Sequence, residues 1–378
     1  MKTRETIELP LHSGKAPEWL TNRMKKLARH IVKIITEEKG GMRFFEMLSD
    51  PLWFQAFSCL LGYDWHSSGT TTVTTAVLKD VLRNLNLGIK VAGGKGKRSL
   101  KTPEEIDSEA KNEEVANKLK YISRVVAKVD NAVLQDHHQL YHHTIFFIDD
   151  KKWCIIQQGM NTQLRTARRY HWLSTKLRSF VEEPHTGILG DTILESVIDM
   201  TAHKSREARK LSVDLVKEGP TRIRNDLEMI KSRGLRKLTE WFEKERYLRL
   251  RIYRPVDEAR VDWKALKEAY ERDISNYQEL VAIRGIGPAT IKSLALIGEL
   301  IYNVEVSRRD PIKFSFAFGG KDGIPYPVNR RRMDRVIKIL EEAVEEMETG
   351  RREKIKLLSN LSKIETGLRY GEGVFFIG

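Results

Sequence analysis

Three short strings in the first half of this 378-residue chain carry carboxylates, imidazoles and guanidinium groups at a density that folding alone does not demand. Residues 62–69 (GYDWHSSG) hold Asp64 and His66. Residues 130–143 hold Asp130, Asp136 and the histidine pairs His137-His138 and His142-His143. Residues 157–171 hold Gln157, Gln158, Arg165, Arg168, Arg169 and His171. The chemistry such a set could do is metal-assisted phosphodiester cleavage. Asp64, Asp130 and Asp136 would hold Mg²⁺ or Mn²⁺, with His66, His142 or His143 as a further ligand or as the base. The metal would offset charge on the pentacovalent transition state while Arg165, Arg168 or Arg169 clamped phosphate oxygens. With Gln157 these make the expected catalytic set: Asp64, His66, Asp130, Asp136, His142, His143, Gln157, Arg165 and Arg169. No D-x(n)-E-x-K signature accompanies them, so the expectation rests on clustering. No organic cofactor is expected, because residues 93–98 (GGKGKR) lack P-loop spacing and read as a basic loop touching DNA.

A second stretch offers binding without a reacting group. Leu280, Val281 and Ile283 form an apolar run that reaches Gly285-Ile286-Gly287, and a second apolar helix is expected from Pro288-Ala289-Thr290 onward. The glycines permit a sharp turn with no Cβ clash. They also leave the first N–H groups of the second helix bare at the positive end of its dipole, where a backbone phosphate can sit with no base being read. Ser275 and Gln278 fit an S-x-x-Q capping box for the first helix. Pro288 suits the first turn of the second, and Ile286 is the expected plug between the two. The expected DNA contacts are therefore Arg284, Gly285, Gly287, Ala289, Thr290 and Lys292, joined by Lys95, Lys97 and Arg98 of the basic loop.

Composition points to the same kind of partner. Sixty-six basic against 52 acidic residues give a net charge of +14, which favours duplex or branched DNA, or RNA as another polyanion. A charged fraction of 31% with many Glu-Lys mixtures also suits a thermophile. Cys59 and Cys154 lie in apolar runs and read as small core residues rather than a disulfide or a zinc site. No apolar run approaches the length of a membrane span and Met1-Lys2-Thr3 opens no signal peptide, so a cytoplasmic location is expected.

The elements that must position these groups make an α+β chain, mostly helical. Helices are expected over Pro17–Glu38, Met42–Leu48, Leu52–Leu61, Ala76–Leu85 (capped by Ser68 or Thr70), 103–110 and 112–134, with a short strand over Leu87–Ala92. Thr144–Ile148 and Trp153–Gln157 flank a polar turn and form a β-hairpin, apolar on both faces and so covered by helices on both sides. After Gln163 a return to helix is expected. The organisation that follows is an α+β domain over 1–195, a basic helical linking region over 196–254, and an all-α domain over 255–378. Residues 201–254 carry 16 Lys and Arg against 8 Asp and Glu. The last domain contains the glycine turn and a charged helix over 351–365.

The strings GYDWHSSG, KVDNAVLQD, LYHHTIFF, IIQQGMN, ARRYHW and FGGKDGIPYPV, in this order, resemble a mainly archaeal family known as domain of unknown function 763, over nearly the whole chain. That resemblance transfers no catalytic residue. Residues 279–302 alone resemble the helix-hairpin-helix of many DNA-repair and DNA-processing proteins, which implies a grip on minor-groove phosphates and no reaction. In hairpin-containing DNA glycosylases an Asp follows the hairpin by roughly two dozen residues, and Asp310 stands at a similar distance. The lysine of bifunctional members corresponds to Ala289, with Lys292 displaced by most of a turn. The leading expectation is thus a metal-dependent nuclease of repair or recombination. The alternatives are a monofunctional glycosylase using Asp310 and a non-catalytic DNA- or RNA-binding protein.

Overall fold

A computed structural model describes residues 16–63, 69–190, 193–195, 197–232 and 260–312, with 338, 341–342, 344–345, 354–355 and 359 beyond them. Asp64, His66, the Ser68 cap, the Phe-Gly-Pro string after Lys313 and most of the expected helix over 351–365 lie outside the described residues.

The strands are β1 (Lys90–Lys95), β2 (Leu134–Gln135), β3 (Gln139–Phe147), β4 (Trp153–Asn161), β5 (Thr166–Leu173), β6 (Gly187–Leu189) and β7 (Ile198–Asp199). Five of them form an antiparallel sheet in the order β1-β3-β4-β5-β6, and β2 pairs with β7 separately. Side chains alternate between the faces of a strand, so a strand apolar at every position needs cover on both sides. Phe146, Cys154, Ile156 and Leu173 pack into a core with α1 (Glu18–Leu48), α2 (Pro51–Leu60) and α3 (Gly69–Leu85). Ile145, Phe147, Trp153, Ile155, Tyr170 and Trp172 pack into a second core on the opposite face. That core is closed by α4 (Thr102–Glu109), α5 (Glu113–Lys128) with its π-helical continuation Val129–Val133, α6 (Arg206–Lys217), α7 (Pro220–Ser232), α8 (Trp263–Glu271), α9 (Tyr277–Ala282) and α10 (Pro288–Leu300). It runs from Ala92 to Val306, across the boundaries expected after residues 195 and 254, so the helices flanking the glycine turn share their interior with the sheet.

Local chemistry accounts for several boundaries. The two helices expected before Asp50 are the limbs of α1, bent at Gly40, whose φ of +80° is left-handed. Asp50 caps α2 by accepting from the Leu52 N–H at 2.9 Å, with Pro51 in the first turn. Asn112 caps α5 in the same way, accepting from the Val115 N–H at 2.9 Å. The Asp149 carboxylate organises the β3–β4 turn by accepting from the N–H groups of Lys151 and Lys152, both at 2.8 Å.

Three expectations are corrected. The chain after Gln163 is strand, not helix: Thr166–Leu173 pairs residue by residue with Asn161–Cys154, and burial on both faces erases any one-sided period. Helix α3 starts at Gly69 rather than Ala76. Its threonines are tolerated because their hydroxyls bond back along the helix, as Thr75 Oγ1 does to the Thr71 carbonyl at 2.8 Å. Strand β1 covers Lys90–Lys95 rather than Leu87–Ala92, so the first glycines of the basic loop are strand. Gly93, at φ +98°, lets β1 approach β3 closely; a Cβ there would stand 2.9 Å from Thr102 Oγ1 and nearer still to the His143 carbonyl.

Candidate functional site

The polar strings meet at one end of the sheet, where β1 and β4 end and β3 and β5 begin. Lys95 lies opposite His142, His143 opposite Gln157, and Gln158 opposite Arg169. The pleat then separates neighbours in sequence. His142, Gln158, Arg169 and His171 face α1–α3, whereas His143, Gln157, Arg168 and Tyr170 face α5.

On the α1–α3 face, the Arg169 guanidinium is buried above the Phe54 ring at 4.5 Å. Its Nε donates to His171 Nε2 at 2.9 Å and one terminal nitrogen to Gln55 Oε1 at 2.9 Å. His171 Nδ1 donates to the Leu48 carbonyl at 3.0 Å, which leaves Nε2 as the acceptor Arg169 needs. Burial, and then Arg169, hold His171 well below the ordinary histidine range. His142 Nε2 lies 3.1 Å from Thr75 Oγ1 and 3.0 Å from Thr144 Oγ1. Burial, with His143 and Lys95 adding, pushes its pKa down to about 3. Gln158 joins the hydroxyls of Thr71 and Tyr141.

On the α5 face, Asp130 accepts from Gln157 Nε2, from Trp172 Nε1 at 2.9 Å and from His185 Nε2 at 2.5 Å. With its amide nitrogen committed to Asp130, Gln157 turns its oxygen to His143 Nδ1 at 2.7 Å. His143 Nε2 is then the acceptor for the Ser123 hydroxyl at 2.8 Å. Beside this relay, Arg168 bridges Asp136 at 3.0 Å and Asp310 at 3.1 Å, with a second bond to Asp310 from its other terminal nitrogen. Tyr170 donates to Asp136 at 2.7 Å, and the His138 N–H does so at 3.0 Å. Burial alone would raise the Asp136 pKa, but Arg168, His138 and Tyr170 outweigh it and hold the carboxyl below its usual range.

The expected catalytic set is therefore not one site. Asp130, Asp136, His143 and Gln157 lie on one face, His142 and Arg169 on the other, and Arg165 points to solvent from the β4–β5 turn. Asp130 and Asp136 are each buried and accept from three donors, so a metal ion there would have to compete with those donors. Among the described residues no group of three or more His, Cys, Asp or Glu could share a metal ion. Asp310, the alternative catalytic carboxylate, is likewise turned inward, held by Arg168 and by the Leu194 N–H at 2.7 Å.

The glycine turn is built in the opposite way. Helix α9 is capped by Asn276, which accepts from the Glu279 N–H at 3.0 Å, while Glu279 reaches back to the Ser275 N–H at 2.8 Å. The capping box is thus Asn276–Glu279, one residue past the expected Ser275–Gln278, because Gln278 instead turns to the Tyr121 hydroxyl at 3.1 Å on α5. Ile286 is buried between the helices as the plug. Gly285 has φ +93°, and a Cβ there would stand 2.8 Å from Ala265 Cβ and nearer to the Asp262 carboxylate. Gly287 is extended at φ −129° with room for a side chain, and it gives α10 no side-chain cap. Pro288 has no N–H, and among the described residues no acceptor takes the N–H of Gly287 or Ala289. Arg284 and Gly285 are exposed, Gly287, Ala289 and Lys292 half-buried; Thr290 is buried and so offers no side-chain contact. Lys95, Lys97 and Arg98 are exposed and meet no carboxylate among the described residues.

Two groups at this turn carry no motif. Lys128, at the end of α5, donates its ammonium to the Ile283 carbonyl, and burial with Arg124 lowers its pKa to about 8. Gln135 Nε2 donates to the Pro288 carbonyl at 2.9 Å, tying the end of β2 to the first turn of α10. His185 and Ser123 were also invisible in sequence, since their partners Asp130 and His143 lie on distant elements.

A family model described as "Protein of unknown function (DUF763)" matches residues 5–328. No curated protein and no solved structure matches the chain. Among the described residues, no helix is long and apolar enough to cross a membrane.

Proposed function

We propose that this chain, which belongs to the family described as Protein of unknown function (DUF763), is a DNA-binding protein whose Arg284–Ala289 turn grips the sugar-phosphate backbone. The observation that carries this is the bare start of α10. A thirteen-residue helix with no side-chain cap presents the N–H groups of Gly287 and Ala289, which meet no acceptor among the described residues, beside exposed Arg284 and half-buried Lys292. Phosphate oxygens are acceptors of matching charge for such a helix end, and a net charge of +14 draws the polyanion toward it. Contacts of this kind position a duplex without reading its bases. Lys95, Lys97 and Arg98 add exposed positive charge that meets no carboxylate among the described residues.

Binding is better supported than either reaction. Metal-dependent cleavage would need Asp130 and Asp136 to release Gln157, Trp172, His185, Arg168 and Tyr170 before meeting an ion, and base excision would need Asp310 to leave Arg168. Fluorescence anisotropy with a labelled DNA duplex of scrambled sequence tests the proposal. The expected result is binding that varies little with sequence and weakens linearly on a logarithmic salt scale. No binding at low salt would overturn it.

A further inference from the structure

Two left-handed residues stand side by side at the polar end of the sheet, and neither is glycine. His137, in the β2–β3 turn, has φ +66°, and Arg165, in the β4–β5 turn, has φ +56°. An L-residue adopts that conformation at some energetic disadvantage, and something must hold it there. For His137 the holder is the buried network. Arg168 and Tyr170 fix the Asp136 carboxylate, which accepts from the His138 N–H at 3.0 Å, while His138 Nδ1 donates to the Asp136 carbonyl at 2.8 Å. The residue between those two anchors is turned outward. The two turns are also locked to each other: His138 Nε2 lies 3.0 Å from Thr166 Oγ1, next to Arg165. Gly159 of β4 makes room, since a Cβ there would stand 2.9 Å from His138 Cβ.

Both presented side chains are exposed and unused within the described chain. His137 makes no hydrogen bond, and Arg165 meets no carboxylate. His137 also adjoins the glycine turn. Gln135, two residues before His137, is bonded to the Pro288 carbonyl at 2.9 Å, and Lys292 of α10 is close enough to His137 to press on its charge. On the other side, Lys95 ends β1 opposite His142, at the same end of the sheet.

We propose that His137 and Arg165 are a second contact for the DNA backbone, continuing the track from the start of α10 across the sheet end toward the basic loop. It rests on the proposed grip by the glycine turn. The His137 imidazole donates a hydrogen bond to a phosphate oxygen, and Arg165 supplies a guanidinium charge beside it.

The unusual backbone makes the test sharp, because glycine relieves the conformation while removing the contact. His137→Gly, Arg165→Gly and the double variant are compared with the parent for duplex binding across a KCl series and for urea unfolding. Each single change is expected to weaken binding by about three- to tenfold, with Arg165→Gly lowering the salt slope by about one. The unfolding midpoints should be equal to or above the parent's. Purely architectural residues would give the reverse. Binding unchanged in the double variant, while Gly287→Asp loses affinity, overturns this second contact and leaves the glycine turn standing. A parent that fails to bind the duplex overturns both.

Discussion

The polar end of the sheet and the glycine turn are near neighbours, yet they treat polar groups in opposite ways. At the sheet end Asp130, Asp136, Arg168, Arg169, Gln157 and His142 are all buried, and nearly every donor finds an acceptor inside the protein. At the turn, the N–H groups of Gly287 and Ala289 meet no acceptor among the described residues, although the residues around them are chemically plain. Reactive residue types are thus a poor guide to where this protein meets its partner. Burial and hydrogen-bond satisfaction decide it. A buried carboxylate with three donors is architecture; an unmet backbone donor beside exposed cations is an invitation to an anion.

The comparison can be broken first at Arg168. Replacing it with Met strands the Asp136 and Asp310 carboxylates in the interior, which should destabilise the fold by about 3–5 kcal/mol in urea unfolding. Stability close to the parent's would mean that the network is not the structural device described above.

Acid should attack the same region next. His142 has a folded pKa of about 3 against an ordinary 6.5, so the unfolded chain takes up its proton first as pH falls. Its contribution is complete above about pH 6.5 and is lost progressively toward pH 3. By pH 5, His142 alone should cost about 2 kcal/mol, with His143 and His171 acting in the same direction. Asp136, a depressed carboxyl, loses its own contribution only at pH values below the ordinary carboxylate range. Unfolding free energies that do not change between pH 7.5 and 5 would contradict neutral burial of these rings.

The two turn glycines separate folding from binding. Gly285→Ala places a Cβ against Ala265 and Asp262 in a left-handed conformation, and a loss of about 1–3 kcal/mol is expected. Gly287→Ala, extended and in open space, should change stability by less than about 0.5 kcal/mol. Equal midpoints for the two variants would show that the tight packing at Gly285 is not real.

How much of this was legible in the sequence follows from how local each signal is. The plug Ile286, the uncapped proline-led start of α10 and the double-faced β-hairpin were readable because each is set within a few residues. The capping box was misplaced by one residue because Tyr121, far away in sequence, claims Gln278. Strand β5 read as a helix because its identity comes from pairing with β4 rather than from its own pattern. The polar strings did converge on one end of the sheet, but alternation sent His142 and His143, Gln157 and Gln158, and Arg168 and Arg169 to opposite faces. Spacing in the sequence can show that such residues are near one another. It cannot show that Asp310 and His185 arrive from elsewhere to satisfy them.

The most direct test of the central claim is Gly287→Asp, measured for stability and for duplex binding with Gly287→Ala beside it. An aspartate at this cap position can accept from the open start of α10, so stability should be unchanged or raised by a few tenths of a kcal/mol. The same carboxylate occupies the place of a phosphate and repels the next one, so affinity should fall at least about tenfold for every duplex sequence. Gly287→Ala should bind nearly as the parent does. A stable Gly287→Asp protein that binds DNA as tightly as the parent would contradict the account.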